Sequence, residues 1–384
     1  MKMKKFFCFL LAVICVLSLA GCGSADSSEI SAAVTRDTKY DAAVVSISAE
    51  EFEKAGFHLG DSCEIRFENG YSLSDVPYYN GYYVKNGAPV IVAYPGYTNI
   101  SITLNKSGIW DAAKLSENDS VTIRLKEAGK YSATHEVLGQ EYSFDYSDYN
   151  SSEEFCNFRE MAGGELKKGF LFRGASPFDS SRGRAFYTDR LLRAAGISFV
   201  VDLADSEEDM AGYLSEETFD SPYAAGLYES GRAVLLDMGS SYFSDAYKEK
   251  VAVGMKAMLG ASGPIYIHCM EGKDRTGFVC MLLEALAGAS YTEMCADYMK
   301  TYENYYSVSE EKTPEKYHAI AELYFDSFLQ CLLETEDSAA LKDADYVQAA
   351  ADYLIAGGMT PDETEQLRDF ITDRTSFGEE AAQF

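Results

Sequence analysis

The sequence is short of positive charge, and this shortage restricts the partners that it can have. Its 384 residues include 33 lysines and arginines against 61 aspartates and glutamates, which gives a formal net charge of −28. A surface with this excess of negative charge repels polyanions, which argues against nucleic acid as a partner. A phosphate-bearing substrate has to be attracted by local positive charge, against the field of the whole molecule.

Closely spaced cysteine pairs are also missing. Nine cysteines are present, but no two are arranged as Cys-x-x-Cys, so the sequence indicates neither a zinc site nor a thioredoxin-like motif. We therefore predict no metal and no cofactor. The six cysteines after residue 22 are scattered, which favours free thiols, although secreted proteins usually pair their cysteines.

The N-terminal hydrophobic run is too short to cross a bilayer. It covers residues 6–20 and follows three lysines, whereas a spanning helix needs roughly 20 apolar residues. This pattern predicts a signal peptide over residues 1–21. The run Leu19-Ala20-Gly21-Cys22 resembles the lipobox of bacterial lipoproteins, with an ordinary secretory signal as the alternative. The resemblance implies a lipid on Cys22 and an extracytoplasmic protein anchored to the bacterial cell membrane.

The rest of the chain divides into three segments by composition. Residues 22–38 are rich in Ser, Ala and acidic residues without apolar periodicity, which predicts a lipid-anchored flexible tether. Residues 39–148 contain short β-branched or alternating runs, which predict a small β-rich sandwich or barrel with no catalytic cluster of its own. Its tyrosines, as in Pro77–Tyr83, either form a binding face or are half-buried in the sheet. Residues 149–384 alternate strand and helix patterns, which predicts an α/β catalytic domain.

A loop in this last segment joins a predicted strand to a predicted helix. The strand is Gly263–Cys269, the helix is Arg275–Gly288, and His268–Gly277 between them has the sequence HCMEGKDRTG. A chain that turns at a helix N-terminus points several N–H groups inward with the helix dipole behind them, which forms an anion nest. We expect Gly272 and Gly277 to permit the backbone angles of this tight turn.

Two side chains of the loop suit phosphoryl transfer. Arg275 can hold two oxygens of a tetrahedral dianion with its planar fork. Cys269 lies at the mouth of the same nest, and the field that binds phosphate also stabilises a thiolate. The loop therefore predicts attack of Cys269 on phosphorus, a phosphocysteine intermediate and its hydrolysis, with Arg275 and backbone amides stabilising the transition state.

The string His268–Gly277 resembles the phosphate-binding loop (P-loop) of cysteine-dependent protein tyrosine phosphatases. In full it is similar to a bacterial branch that includes secreted enzymes acting on phosphotyrosine and on phosphoinositides. The likeness extends over about residues 155–372, including Asn157–Gly164 and Asp297–Tyr306, although Ala204 replaces the usual arginine of the branch. The resemblance implies a cysteine-phosphatase fold, a central sheet flanked by helices, and hydrolysis of phosphotyrosine and of phosphoserine, phosphothreonine or phosphoinositides.

The resemblance also implies roles for the loop. His268 orients it through backbone groups or is a buried core histidine. Thr276 hydrogen-bonds the thiolate, caps the first turn of the helix, or does both. Lys273 meets an additional phosphate or an inositol head group, or is a solvated surface lysine. The phosphate-binding residues beside the catalytic Cys269 and Arg275 are Met270, Glu271, Gly272, Lys273, Thr276 and Gly277.

The general acid has two candidates. The resembling branch indicates Asp274, inside the loop. Asp237 is the alternative, because Leu235–Asp245 lies where other tyrosine phosphatases have a mobile acid loop. The Trp-Pro-Asp motif of such loops is absent, and the single tryptophan, Trp110, falls in the β-rich module. Two alternatives to an enzyme are a phosphatase fold that only binds a phosphate ligand, and an adhesion or solute-binding lipoprotein.

Overall fold

The computed structural model describes residues 28–335 and 337–373. In this part of the chain, a closed seven-stranded barrel precedes a five-stranded sheet covered by helices. The prediction of an α/β domain, with a central sheet flanked by helices, after a small β-rich domain is confirmed, and the β-rich domain is a barrel rather than a sandwich. The predicted signal peptide and Cys22 lie outside the described residues. Within the described ranges, no helix is long and apolar enough to cross a membrane.

Alternating side chains build the barrel, because successive residues of a strand face opposite sides of a sheet. In Ser62–Phe67, for example, Cys63, Ile65 and Phe67 face the core and are buried, whereas Glu64 and Arg66 are exposed. The strand order is β1-β2-β6-β5-β4-β3-β7, closed by pairing of β7 with β1. The strands are β1 (Glu29–Asp37), β2 (Ala42–Ser48), β3 (Ser62–Phe67), β4 (Ser72–Tyr79), β5 (Pro89–Val92), β6 (Asn99–Leu104) and β7 (Ser120–Glu127), with the short helix α1 (Ala49–Lys54) after β2.

The tether predicted over residues 22–38 is wrong from Glu29 onward, because β1 lies there. This strand pairs antiparallel with both β2 and β7 and so closes the barrel. The strand is hard to recognise from composition, because only Ile30, Ala32 and Val34 pack against the barrel core and the intervening residues are the small Ser31 and Ala33.

The second domain is organised around parallel strands in the order β11-β10-β12-β9, with β8 antiparallel at the edge. These strands are β8 (Arg159–Glu160), β9 (Leu171–Gly174), β10 (Phe199–Asp202), β11 (Ala233–Leu235) and β12 (Ile265–His268). The carboxyl ends of parallel strands meet at one edge of a sheet, which is where ligands bind in open α/β folds. Asp202, His268 and Gly174 pair at this edge.

Helices cover both faces of this sheet. They are α2 (Ser132–Leu138), α3 (Ser152–Phe155), α4 (Ala185–Ala194), α5 (Glu207–Leu214), α6 (Pro222–Glu229), α7 (Asp245–Met258), α8 (Asp274–Leu286), α9 (Tyr291–Tyr306), α10 (Pro314–Ile320), α11 (Ser327–Leu332), α12 (Tyr346–Ala356) and α13 (Pro361–Ile371). Every residue of α8 after Asp274 is buried, as its apolar pattern predicts. A π-helical segment, Ala321–Asp326, joins α10 to α11, and short 3₁₀ segments lie at Tyr146–Asp148, Ser180–Arg182 and Ser338–Asp343.

The two domains pack directly against each other. Val90 and Val92 of the barrel belong to the same hydrophobic cluster as α8 and the C-terminal helices. Polar contacts reinforce this packing, since Tyr324 donates to the carbonyl of Tyr82 over 3.2 Å and Arg182 donates to the carbonyl of Pro95 over 3.1 Å. The barrel is therefore fixed beside the carboxyl edge of the second sheet.

Candidate active site

The loop between β12 and α8 makes one sharp turn that only glycine permits. Gly272 has a φ of 66°, and a Cβ added to it would overlap the backbone of Gly174 at the end of β9. The expectation for Gly277 is wrong, because this residue lies inside the first turn of α8. There a Cβ would come within 2.8 Å of the Tyr298 ring, so Gly277 permits close helix packing rather than the turn.

Three carbonyls of the loop are held by the surrounding protein. The carbonyl of Met270 accepts a hydrogen bond from the N–H of Ser176, and that of Glu271 accepts one from Tyr305 over 2.8 Å. The carbonyl of Gly272 is the third. It accepts from the side chains of Asn157 and Arg173, over 3.1 and 3.0 Å.

These bonds orient the donors of the loop. The N–H and C=O groups of a trans peptide point in opposite directions. With the three carbonyls held outward, the N–H groups of Glu271, Gly272 and Lys273 point into the turn. The predicted anion nest therefore follows from the bonds that hold the loop from outside.

A buried ion-pair network fixes those supports. Asp297 of α9 accepts from Arg173 over 2.5 Å and from Arg159 over 2.7 Å, and Arg159 also donates to the Asn157 side chain. Burial raises the pKa of Asp297, but the two arginines outweigh it and lower the pKa to about 2. Sequence reasoning assigned none of these four residues a role. The only signal was that all four fall in the part of the chain that resembles the bacterial branch, residues 155–372.

The nucleophile and the arginine line the same cavity, whose volume is about 440 Å³. Cys269 is 3% exposed. Arg275 donates from Nη1 to the carbonyl of Met238 over 2.7 Å and from Nη2 to the hydroxyl of Tyr40 over 3.1 Å. Burial acts to lower the pKa of Arg275, whereas Tyr40 and Cys269 act to raise it. The net shift is upward, so the guanidinium stays charged.

Thr276 is fully buried one residue after the arginine. Its hydroxyl has no hydrogen-bond partner anywhere in the described ranges, so it does not cap the first turn of α8. Of the two expected roles, the geometry leaves the hydroxyl available for a thiolate.

His268 lies beneath the loop with no exposed surface. Burial lowers its pKa to about 4, although Asp205 opposes the shift, so the ring is neutral at physiological pH. Its Nδ1 lies 3.3 Å from the carbonyl of Cys269, which requires the tautomer with a proton on Nδ1. The ring thus contacts the loop through a backbone group, and it is also a core side chain.

Asp202 is held by backbone groups, although this chain has Ala204 where the resembling branch has an arginine. Its Oδ1 accepts from the backbone N–H groups of Ala204, over 2.8 Å, and Asp205, over 3.1 Å. Its Oδ2 lies 3.8 Å from Nε2 of His268. Burial raises the pKa of Asp202 to about 6, and burial with the neighbouring Asp202 raises that of Asp205 to about 8.

The two candidate acids differ in position. Asp274 is the first residue of α8 and lines the cavity together with Cys269 and Arg275. Asp237 does not line this cavity. Its side chain is 55% exposed and lies 3.8 Å from Lys250. Of the two candidates, Asp274 and not Asp237 lines the cavity that contains the nucleophile.

Lys273 and Glu271 are buried in the cavity wall. The Lys273 ammonium lies 3.4 Å from the hydroxyls of Tyr94 and Tyr306 and 3.7 Å from Asp274. Tyr94 in turn donates to Glu271 over 3.4 Å. The alternative of a solvated surface lysine is therefore wrong.

The opposite wall of the cavity belongs to the barrel. The sequence indicated no catalytic cluster in this module, yet several of its residues line the same cavity as the nucleophile, among them Tyr40, Tyr82, Tyr83, Tyr94, Tyr97 and Lys106. In the run Pro77–Tyr83, Tyr82 and Tyr83 line the cavity, whereas Tyr78 is fully buried in the barrel core rather than half-buried. The binding face stays a prediction. The described residues contain no cluster of His, Cys, Asp and Glu suited to a metal ion.

Comparison with known proteins separates the two domains. Residues 151–373 match the sequence family described as "Tyrosine phosphatase family". The triple specificity protein phosphatase PtpB of Mycobacterium tuberculosis is 27% identical over 256 residues, which cover 54% of this chain and 87% of that protein. The family match begins after the last barrel strand, so the barrel wall of the cavity lies outside it.

Solved structures give weaker likenesses. Crystal structures of TpbA from P. aeruginosa, one of them in complex with pTyr, are 15% and 16% identical to this chain, with TM-scores of 0.27 and 0.24. The matches cover 46% and 56% of this chain and 89% and 91% of the TpbA chains.

Proposed function

The chain belongs to the tyrosine phosphatase family and is a phosphomonoester hydrolase, and from this premise we propose that Cys269 is its nucleophile and Asp274 its general acid. The observation that carries the proposal is the shared cavity. Cys269, Asp274 and Arg275 line it together, at the N-terminus of α8 and beside three inward N–H groups. Intact Cys269, Arg275 and Thr276 argue against a fold that binds phosphate without turnover.

The reaction has two steps. In the first, the Cys269 thiolate attacks phosphorus, the S–P bond forms and the P–O ester bond breaks, while Asp274 protonates the leaving oxygen. In the second, water attacks phosphorus, Asp274 accepts its proton, and the S–P bond breaks to give inorganic phosphate and the thiolate. Arg275 and the loop N–H groups stabilise the charge on the equatorial oxygens. Thr276 donates to the departing thiolate.

We propose phosphotyrosine as one substrate class, with phosphoserine, phosphothreonine and phosphoinositides as further candidates. Tyrosine side chains form much of the cavity wall, which suits an aromatic ring or the apolar face of a polyol. The similarity to PtpB, which is named a triple specificity protein phosphatase, supports a substrate range beyond phosphotyrosine. The cavity volume lies within the range of small-molecule sites, roughly 300–1,000 Å³.

We also propose that the protein acts outside the cytoplasm, anchored to the bacterial cell membrane by a lipid on Cys22. The lipobox-like run before Cys22 supports this location. All six cysteines of the described residues are free thiols, so the fold needs no disulfide in any compartment.

The nucleophile is tested with Cys269→Ser. We expect turnover of phenyl phosphate to fall at least about 10³-fold while vanadate still binds, because the hydroxyl replaces the thiolate and leaves the nest intact. Arg275→Lys should also be severely impaired, since an ammonium cannot make the bidentate contact. Steady-state kinetics measures the turnover of both variants, and a direct binding assay measures vanadate binding by Cys269→Ser.

Cys295→Ser provides the control, because Cys295 is buried in α9 and does not line the cavity. Its kinetics should match those of the unmodified chain. Residual activity of Cys269→Ser above about one tenth would contradict the phosphocysteine mechanism.

A further inference from the structure

The ammonium of Lys106, in the barrel, is buried without a hydrogen-bond or ion-pair partner among the described residues. Lys106 follows β6 and has a φ of 58°. Burying an unpaired charge is costly, so such a group is retained only where something compensates it.

Aromatic rings compensate part of this cost. The Lys106 ammonium lies 3.8 Å from the centroid of the Phe328 ring and 5.2 Å from that of Tyr242. Burial lowers the pKa of Lys106 to about 8, while Asp274 raises it and Lys273 lowers it. Lys106 therefore carries a proton at neutral pH, and it lines the same cavity as the nucleophile.

Lys106 differs in this respect from the lysine of the loop. The ammonium of Lys273 already has two tyrosine hydroxyls and the carboxylate of Asp274 around it. Arg275 has the carbonyl of Met238 and the hydroxyl of Tyr40. Of these three cations of the cavity, Lys106 is the one without a hydrogen-bond acceptor in the described part of the chain.

We propose that Lys106 binds a second anionic group of the substrate, a phosphate or a carboxylate, while the Cys269 loop holds the phosphate that is cleaved. Lys106 is then a specificity-determining residue supplied by the barrel, outside the family domain. The preferred substrate is a small molecule or head group with two anionic groups, both of which enter the cavity. This inference rests on the proposed phosphatase function and names the substrate class of the same site.

The test compares substrates with one and with two anionic groups. Phenyl phosphate is the reference, and the panel adds a phosphate or a carboxylate at ring position 3 or 4, directly or through one methylene, together with inositol bisphosphates. Each substrate is measured with the unmodified chain and with Lys106→Met, which keeps an unbranched side chain and removes the charge. The ratio of kcat/KM between the two proteins cancels the intrinsic reactivity of each substrate.

Lys114→Met is the matched control. Lys114 lies in the same domain with a similar φ of 52°, but its side chain is exposed. Both variants remove one positive charge, so a change confined to Lys106→Met does not come from net charge.

For Lys106→Met we expect kcat/KM to fall about tenfold or more on at least one substrate with two anionic groups, mostly through KM, because a charge-assisted hydrogen bond is lost. On phenyl phosphate the loss should stay within about twofold. Lys114→Met should change neither. An equal loss on phenyl phosphate, or no loss across the panel, would overturn the proposal. Failure of the unmodified chain to hydrolyse phenyl phosphate would instead refute the proposed function itself.

Discussion

At the scale of single residues, the position of Asp274 makes a specific kinetic prediction. A general acid matters most when the leaving group is a poor one. Asp274→Asn should therefore slow phenyl phosphate by at least about 10²-fold but a fluorinated coumarin phosphate by less than about tenfold. Asp237→Asn should slow neither, because Asp237 does not line the cavity.

The comparison of the two substrates contains its own control. Asp274 lies next to Arg275, so a substitution that disturbs the loop would slow both substrates alike. If Asp237→Asn shows the leaving-group-dependent loss instead, the general acid is Asp237, in the loop after β11.

The carboxylate of Asp205 makes a pH-dependent prediction about stability. Its pKa rises from the ordinary value of 3.8 to about 8, because of burial and because of Asp202 beside it. Between about pH 4 and pH 8 the folded chain holds a proton that the unfolded chain has released, so the free energy of unfolding falls as pH rises. Asp205→Asn removes this proton uptake.

Thermal unfolding at pH 5 and at pH 8 measures the effect. The difference in Tm between Asp205→Asn and the unmodified chain should be more positive at pH 8 than at pH 5. An effect of the amide on stability that is the same at both pH values does not alter this comparison. The exposed Asp369→Asn should show the same difference at both pH values. A pH-independent difference for Asp205→Asn would mean that the carboxyl group does not take up a proton on folding.

At the scale of elements, the sequence predicts well what depends on local pattern. The helix α8 is apolar on nearly all sides and proves to be buried, and the loop before it has the expected strand–loop–helix context. The strand β1 was missed, because a strand that pairs on both edges needs only three inward apolar residues. Gly277 was misassigned, because the ring of Tyr298 that requires a small residue there is distant in sequence.

The support of the loop could not be predicted from local pattern at all. Arg173 and Asp297 are separated by 124 residues and meet only after the sheet and α9 have assembled. The barrel wall is a similar case, since no periodicity of β6 or of the tyrosine-rich run indicates that these segments face a nucleophile in another domain. Such contacts depend on tertiary packing. The sequence indicated the loop supports only through the resemblance to a family, and the barrel wall only through an excess of tyrosine.

At the scale of the whole molecule, the start of β1 limits the distance between the proposed lipid and the barrel. Six residues lie between Cys22 and Glu29, which makes seven steps along the chain, and a fully extended chain spans at most roughly 3.3–3.6 Å per residue. The barrel would thus lie within about 25 Å of the lipidated thiol. Cys22→Ala should move the protein from the membrane fraction to the soluble fraction, as measured by immunoblotting after fractionation.

A carbonate wash separates the two kinds of attachment. If Cys22→Ala stays in the washed membranes, the N-terminal hydrophobic run itself holds the protein there and the lipid proposal is wrong. Phosphatase activity of the released variant should equal that of the anchored chain, because neither domain requires the lipid to form the cavity.

The contact between Tyr40 and Arg275 makes the active form of the enzyme depend on the folding of the barrel, which lies outside the residues that match the family. Tyr40 lies in the turn between β1 and β2, and both strands belong to the closed barrel. Partial unfolding of the barrel by heat or denaturant would therefore open one wall of the cavity while the second sheet remained intact. Inactivation would then precede the loss of overall helical structure, and catalytic activity would report on the cooperativity between the two domains.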